Sequence, residues 1–137
     1  MTLTRMTHVG GKCWSHEDVG RMKSVLVADF SDLMNRNSDE GLHWTSTKTD
    51  LIELAHIVWE TGELVDEYGR PLSFSDISAR ICCVLNLTPT PNPWTFYDRV
   101  LTRKNIKVRS VLERYLLLYK KGGILDPMRL DIKRQNV

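Results

Sequence analysis

The chain has 137 residues, 42% hydrophobic and 26% charged, the proportions of an ordinary globular protein long enough to bury one sizeable core. Its apolar stretch from Leu51 to Trp59 is broken by Glu53 and His56, and no apolar run follows Arg5 and Lys12 near the start, so neither a membrane span nor a secretory leader is expected and a cytoplasmic location is. The net charge of +2 conceals a split, because residues 1–97 carry 8 basic and 13 acidic side chains whereas residues 98–137 carry 11 and 4, a pattern that fits either an acidic body with a basic binding face or simply a well-solvated surface.

In chain order, the first predicted helix runs from about Ser15 to Arg36. Ser15 is a suitable cap, Glu17 and Asp18 suit the first turn, and Val19, Met22, Leu26, Phe30 and Leu33 recur every three or four residues. The polar stretch Asn35 to Gly41 then divides an N-terminal extension, residues 1–41, from a main module, residues 42–123. A second helix is expected from near Thr47 to Thr61, ended by Gly62, with an apolar arc wide enough to make it the most buried element. On it Asp50, Glu53, His56 and Glu60 fall on one side, and His56 reads as a surface or satisfied interface residue rather than a catalytic one. Leu64 to Leu72 holds the turn signal Tyr68-Gly69-Arg70-Pro71 and fits a hairpin or an irregular loop.

A third helix begins at Ser73 or Ser75 and buries Ile77, Ile81, Val84 and Leu85. Pro89, Pro91 and Pro93 force a change of direction. Asn92 as cap and Pro93 in the first turn then start a fourth helix. Its phasing places Trp94, Tyr97, Val100 and Leu101 inward, with Thr95, Arg99, Thr102 and Arg103 on the opposite arc and Phe96 at the edge. A fifth helix from about Lys107 to Lys120 turns Val108, Val111, Leu112, Tyr115, Leu118 and Tyr119 inward and Arg109, Glu113 and Lys120 outward, stopping at Gly122 and Gly123. Residues 124–137 show no clear period and read as a loosely ordered tail. The resulting expectation is an all-α, compact multi-helix domain with a helix-turn-helix or winged-helix-like arrangement.

The fourth helix carries the candidate chemistry. Thr95, Phe96, Arg99, Thr102 and Arg103 are candidate base readers: arginine donates twice to guanine, hydroxyls meet base edges or phosphates, and Phe96 suits a thymine methyl. Lys104, Lys107, Arg109 and Arg114 are candidate phosphate contacts. The expected partner is therefore double-stranded DNA, with a homodimer also considered. The leading alternative is a protein-interaction module or regulator remnant in which the first helix docks on a partner.

Other chemistries lack their residues. Gly10-Gly11 and Gly122-Gly123 do not complete a phosphate-binding loop, and no serine, cysteine or histidine lies in a local nucleophile motif. Cys82 and Cys83 lack the gap that brings two thiolates to one zinc ion, so no metal or other cofactor is expected, and the three cysteines read as reduced, buried thiols. The chain is not expected to be an enzyme.

The run Trp44-Thr45-Ser46-Thr47-Lys48-Thr49-Asp50-Leu51-Ile52-Glu53-Leu54 resembles the opening of the C-terminal domain of RteC proteins, regulators from conjugative transposons of anaerobic gut bacteria. The likeness extends from about Leu42 to Lys121 and includes Trp94-Thr95-Phe96-Tyr97-Asp98-Arg99, similar to that family's aromatic and arginine-containing helix start. It implies a helical DNA-binding domain acting in tetracycline-responsive control of element excision and transfer. The chain departs from the pattern in its short N-terminal region, in the stiff turn at Pro89, Pro91 and Pro93, and in having no clear two-strand wing after the fourth helix. The Lys48 to Glu53 match is assigned first to packing and capping.

Overall fold

A computed structural model of the chain describes residues 6–9, 12–104 and 110–134, with side chains for all of these except His8, Lys12 and residues 99–104. The elements follow in the order β1 (Met6–Val9), β2 (Lys12–Ser15), α1 (His16–Met34), a 3-10 turn (Ser38–Glu40), β3 (Leu42–Trp44), α2 (Lys48–Thr61), α3 (Phe74–Val84), α4 (Pro93–Lys104), α5 (Val111–Gly122), a second 3-10 turn (Pro127–Asp131) and β4 (Ile132–Arg134).

Hydroxyl caps set the starts of four helices. Ser15, Thr47, Ser73 and Ser110 each accept the N–H three residues on, from Asp18, Asp50, Asp76 and Glu113, at 3.0 to 3.1 Å, satisfying donors that a first turn leaves unpaired. Gly62 and Gly123 end α2 and α5 at φ +68° and +64°, a left-handed conformation that costs glycine little. Helix α5 begins at Val111 because Ser110 caps it, four residues later than its apolar pattern predicts.

The stripe on α1 is buried along its whole length, with Leu26, Phe30 and Leu33 at 0% exposure. It joins Leu51, Ile52, Leu54, Ala55 and Val58 of α2, Ile77 and Ile81 of α3, and Val111, Tyr115 and Leu116 of α5 in one core. Each such aliphatic side chain gains roughly 1.5–3 kcal/mol by leaving water. Helix α1, in the stretch read as an N-terminal extension, thus packs its apolar stripe into the same core as residues 42–123.

The all-α expectation is corrected by two small antiparallel sheets, β1 with β2 and β3 with β4. In the first, His8 faces Cys13 and Val9 faces Lys12; a two-glycine link between β-forming runs is a hairpin signal, and Gly10-Gly11 stands between these strands in sequence. In the second, Leu42, His43 and Trp44 face Arg134, Lys133 and Ile132. Strands of three or four residues are too short for alternation to be legible, and the β3–β4 partners are some 90 residues apart in sequence. Within the stretch read as a loose tail, residues 127–134 form the 3-10 turn and β4, Met128 is fully buried, and Thr45 N–H donates to Asp131 O at 2.8 Å, while 135–137 lie outside the described residues.

The helix-turn-helix arrangement is also corrected. Eight residues, Leu85–Asn92, separate α3 from α4, against the roughly three or four of that motif, and α4 packs chiefly on α2. Leu64 to Leu72 forms a tight turn, with Leu72 N–H donating to Leu64 O at 2.9 Å and Asp66 N–H to Arg70 O at 2.8 Å. Among the cysteines, Cys82 is buried and burial pushes its thiol pKa up to about 11, but Cys13 and Cys83 are exposed; the expectation of buried thiols holds for Cys82 alone.

Just past α3, Asn86 has φ +59° and its amide donates to Leu42 O at 2.8 Å, tying α3 to β3. Asn86→Ala is expected to lower stability by about 2 kcal/mol, from left-handed strain and the lost hydrogen bond. Asn86→Gly removes the strain and should lose about 1 kcal/mol. Urea denaturation of both variants separates the two contributions.

Candidate nucleic-acid interface

Helix α4 starts where the Asn92 side-chain oxygen accepts the Trp94 N–H at 3.2 Å, with Pro93 contributing its preset φ to the first turn. Lys48, at the start of α2, reaches across to this junction: its ammonium donates to the Thr88 carbonyl and lies 5.0 Å from the centre of the Phe96 ring. One lysine therefore fastens both the proline-rich connection and the first turn of α4 to α2, through a charge-assisted hydrogen bond and a cation–π contact. The packing role assigned to the Lys48 to Glu53 run agrees with this: Leu51 and Ile52 are fully buried, and the Glu53 carboxylate accepts the Val111 N–H at 2.8 Å.

A second clamp is aromatic. Tyr97 stacks on His56 with ring centres 3.6 Å apart and planes 11° apart. His56 is 5% exposed and its Nδ1 lies 3.1 Å from Glu60 Oε1. Phe74 meets the edges of His56 and Trp94 at 5.3 and 4.7 Å, and Trp94 meets Trp59 at 5.4 Å. Such pairs contribute about 0.5–1.5 kcal/mol each beyond area burial. Burial, then the Glu60 and Glu53 carboxylates, raise the Tyr97 pKa, so its phenol stays neutral. Trp94, phased as an inward anchor, keeps 42% exposure while making these contacts; it lines the rim of the cluster.

Of the candidate base readers, Thr95 is exposed and Phe96 is half-buried beside Lys48. Arg99, Thr102 and Arg103 belong to the α4 backbone, as does Lys104, but their side chains lie outside the described residues. Positions 95, 99, 102 and 103 share one arc of a continuous helix at 100° per residue, roughly opposite Trp94 and Tyr97. Lys107 and Arg109 lie outside the described residues altogether. Arg114 is taken up internally: its Nη2 lies 2.9 Å from Asp131 Oδ2 and 3.7 Å from Asp50 Oδ2. Burial pulls the Arg114 pKa down, and the Asp131 hydrogen bond and charge more than offset that. Glu113, expected to project outward, is 4% exposed.

The charge split has an internal meaning as well. Lys120 pairs with Asp18 at 2.9 Å, Arg129 with Asp29 and Asp32 at 3.1 and 2.9 Å, and Arg134 with Glu40 at 3.7 Å. Much of the C-terminal positive charge therefore meets acids of the N-terminal half within the fold. The run 99–109 differs in composition, since it holds Arg99, Arg103, Lys104, Lys107 and Arg109 and no acidic residue. Within Arg99–Lys121, Arg114 and Lys120 are the cations with acidic partners among the described residues.

Helical phasing of single elements could not reveal the Lys48 and His56 clamps, which join α2 to residues some 40 positions away. The available signal was the placement of polar residues on an otherwise buried helix, where each polar group needs a partner. Among the described residues there is no cluster of three or more His, Cys, Asp or Glu suited to a metal ion, and no helix long and apolar enough to cross a membrane. Comparison with protein-family models, with curated proteins and with solved structures found no match.

Proposed function

We propose that the chain is a DNA-binding regulator of the kind its resemblance to RteC C-terminal domains implies, controlling excision or transfer genes of a mobile element. The observation that carries this reading is the run 99–109, with five basic and no acidic residues, while Arg114, Lys120, Arg129 and Arg134 have acidic partners. In this reading Thr95, Arg99, Thr102 and Arg103 meet bases, and Lys104, Lys107 and Arg109 meet phosphates. Lys48 and the His56–Tyr97 stack hold the base-reading helix. The alternative is a protein-interaction module or regulator remnant in which the first helix docks on a partner; its apolar stripe lies in the core, so such docking would use the exposed side of the helix.

The test is titration of labelled duplexes, from the upstream regions of the element's excision and transfer genes, at several salt concentrations. With the three phosphate-directed cations Lys104, Lys107 and Arg109, a fourfold rise in salt lowers affinity by roughly fortyfold. Arg103→Ala should reduce discrimination between sites by about 1–3 kcal/mol, and Lys107→Ala should weaken all sequences alike and lower the salt slope by about one. Lys120→Ala should leave binding unchanged. Absence of binding at low salt would overturn the reading.

A further inference from the structure

On the face of α1 nearest the C-terminal segment, Asp29 is 5% exposed. Its Oδ1 accepts from Arg129 Nε at 3.2 Å, whereas its Oδ2 is fully buried with no hydrogen-bond partner. Asp126, just ahead of the turn Pro127–Asp131, approaches the same Arg129 Nε as Asp29 and shows the same division. Its Oδ2 lies 3.5 Å from Arg129 Nε, and its Oδ1 is buried and unpartnered. Two ionised carboxylates have no donor to offer each other, and leaving both oxygens buried and unpaired is unfavourable. One proton between them satisfies both. We propose that Asp29 and Asp126 share a single proton and so form a proton-coupled latch that holds residues 126–134 against α1.

The surrounding charges are consistent with this. On α1, Asp32 takes Arg129 and Arg36, and on the turn Arg129 serves Asp29, Asp32 and Asp126 together. On α5, Lys120 and Tyr119 are engaged with Asp18 and Arg21, nearer the start of α1. On α2, Asp50, Glu53 and His56 are directed to Arg114, Val111 and Glu60, and on β4 Arg134 is directed to Glu40. One guanidinium thus bridges three carboxylates, leaving an excess of negative charge that a proton relieves. A hard cation needs several oxygen ligands or retained waters; these two oxygens are closed to solvent, and among the described residues no group of three His, Cys, Asp or Glu is arranged to hold a metal ion.

Burial, then the Asp126 carboxyl, raises the Asp29 pKa from 3.8 to about 8. Once the segment is released, Asp29 returns to the ordinary carboxylate range. The latched state thus binds the extra proton: its advantage is complete below that range, declines as pH rises towards about 8, and levels off above.

Hydrogen exchange of the full chain, measured from about pH 5 to about pH 9 and corrected for intrinsic rates, tests the latch. Protection of residues 126–134 should fall by up to roughly tenfold per pH unit and flatten above the upper pKa. In Asp29→Asn, where a neutral amide donates to Asp126, protection should stay high and flat; Asp126→Asn, at a more exposed position, should do the same. Protection in the unmodified chain that does not vary with pH, or a fall that persists in both variants, overturns the proposal. Restoration of protection at alkaline pH by magnesium or calcium chloride in the unmodified chain, but not in Asp29→Asn, overturns it in favour of a bound cation.

Discussion

Asp131→Ala is expected to destabilise the protein by about 3 kcal/mol, although position 131 lies in the segment that reads from sequence as a loose tail. The Asp131 carboxylate accepts from Tyr115 Oη at 2.6 Å and from Arg114 Nη2 at 2.9 Å. Tyr115 is fully buried, and burial followed by the Asp131 hydrogen bond drives its pKa far upward, so the phenol remains a donor. Removing the acceptor strands that donor in the core, a loss of about 1–3 kcal/mol. It also leaves Arg114 with the weaker contacts to Asp50, at 3.7 Å, Ser46, at 3.4 Å, and the Tyr115 ring, at 5.0 Å, to offset its desolvation. Asp131→Asn keeps an acceptor without the charge and should lose about half as much. Urea denaturation with an unchanged slope, or a midpoint temperature lower by roughly 10 °C in a chain of this size, checks the expectation. A neutral result for Asp131→Ala would mean that the Asp131 carboxylate adds nothing to the folded state.

Phe74→Ala is expected to have the larger effect, about 3–5 kcal/mol, because it removes a nearly fully buried aromatic ring from the centre of the cluster that holds α4. Phe74 is the first residue of α3, placed by the Ser73 cap, and its ring touches His56 at 5.3 Å, Trp94 at 4.7 Å, Trp59 at 6.0 Å and Tyr97 at 6.4 Å. The cavity would separate α4 from both helices beneath it. Phe74→Leu restores much of the volume and should lose about 1–2 kcal/mol. The near-ultraviolet circular dichroism of Trp59 and Trp94 should weaken in the alanine variant well before helix content falls, since ring packing is lost first. If duplex binding depends on α4, affinity should drop in Phe74→Ala at temperatures where the rest of the protein remains folded. Equal stability of the alanine variant and the original would exclude the aromatic cluster as the clamp.

The two substitutions probe different classes of information. Phe74 could be anticipated as apolar, yet its importance comes from four rings contributed by α2 and α4, and no local pattern shows that these rings converge. Asp131 lies in the stretch that shows no clear period. Its weight comes from Tyr115, whose own position on an inward face was legible: a tyrosine turned into a core needs a partner for its hydroxyl, but the pattern does not say which. Arg114 illustrates the same limit. Its charge was read as directed at phosphate, and tertiary packing instead directs it to Asp131 and Asp50.

What the sequence by itself determined is the local layer: the helices, the hydroxyl caps of α1, α2 and α3, the glycine stops of α2 and α5, the buried stripe of α1, the deep burial of α2 and the break at Pro89, Pro91 and Pro93. These follow from backbone donors seeking the nearest acceptor and from apolar side chains recurring at the helical period, both of which act over a few residues. Tertiary structure alone decided the pairing of β3 with β4, the docking of α4 on His56, the neutralisation of C-terminal cations by N-terminal acids and the proximity of Asp29 to Asp126. Each of these depends on closing loops of 40 to 100 residues, and the free energy that closes them comes from burying the shared core rather than from the residues that the closure brings together.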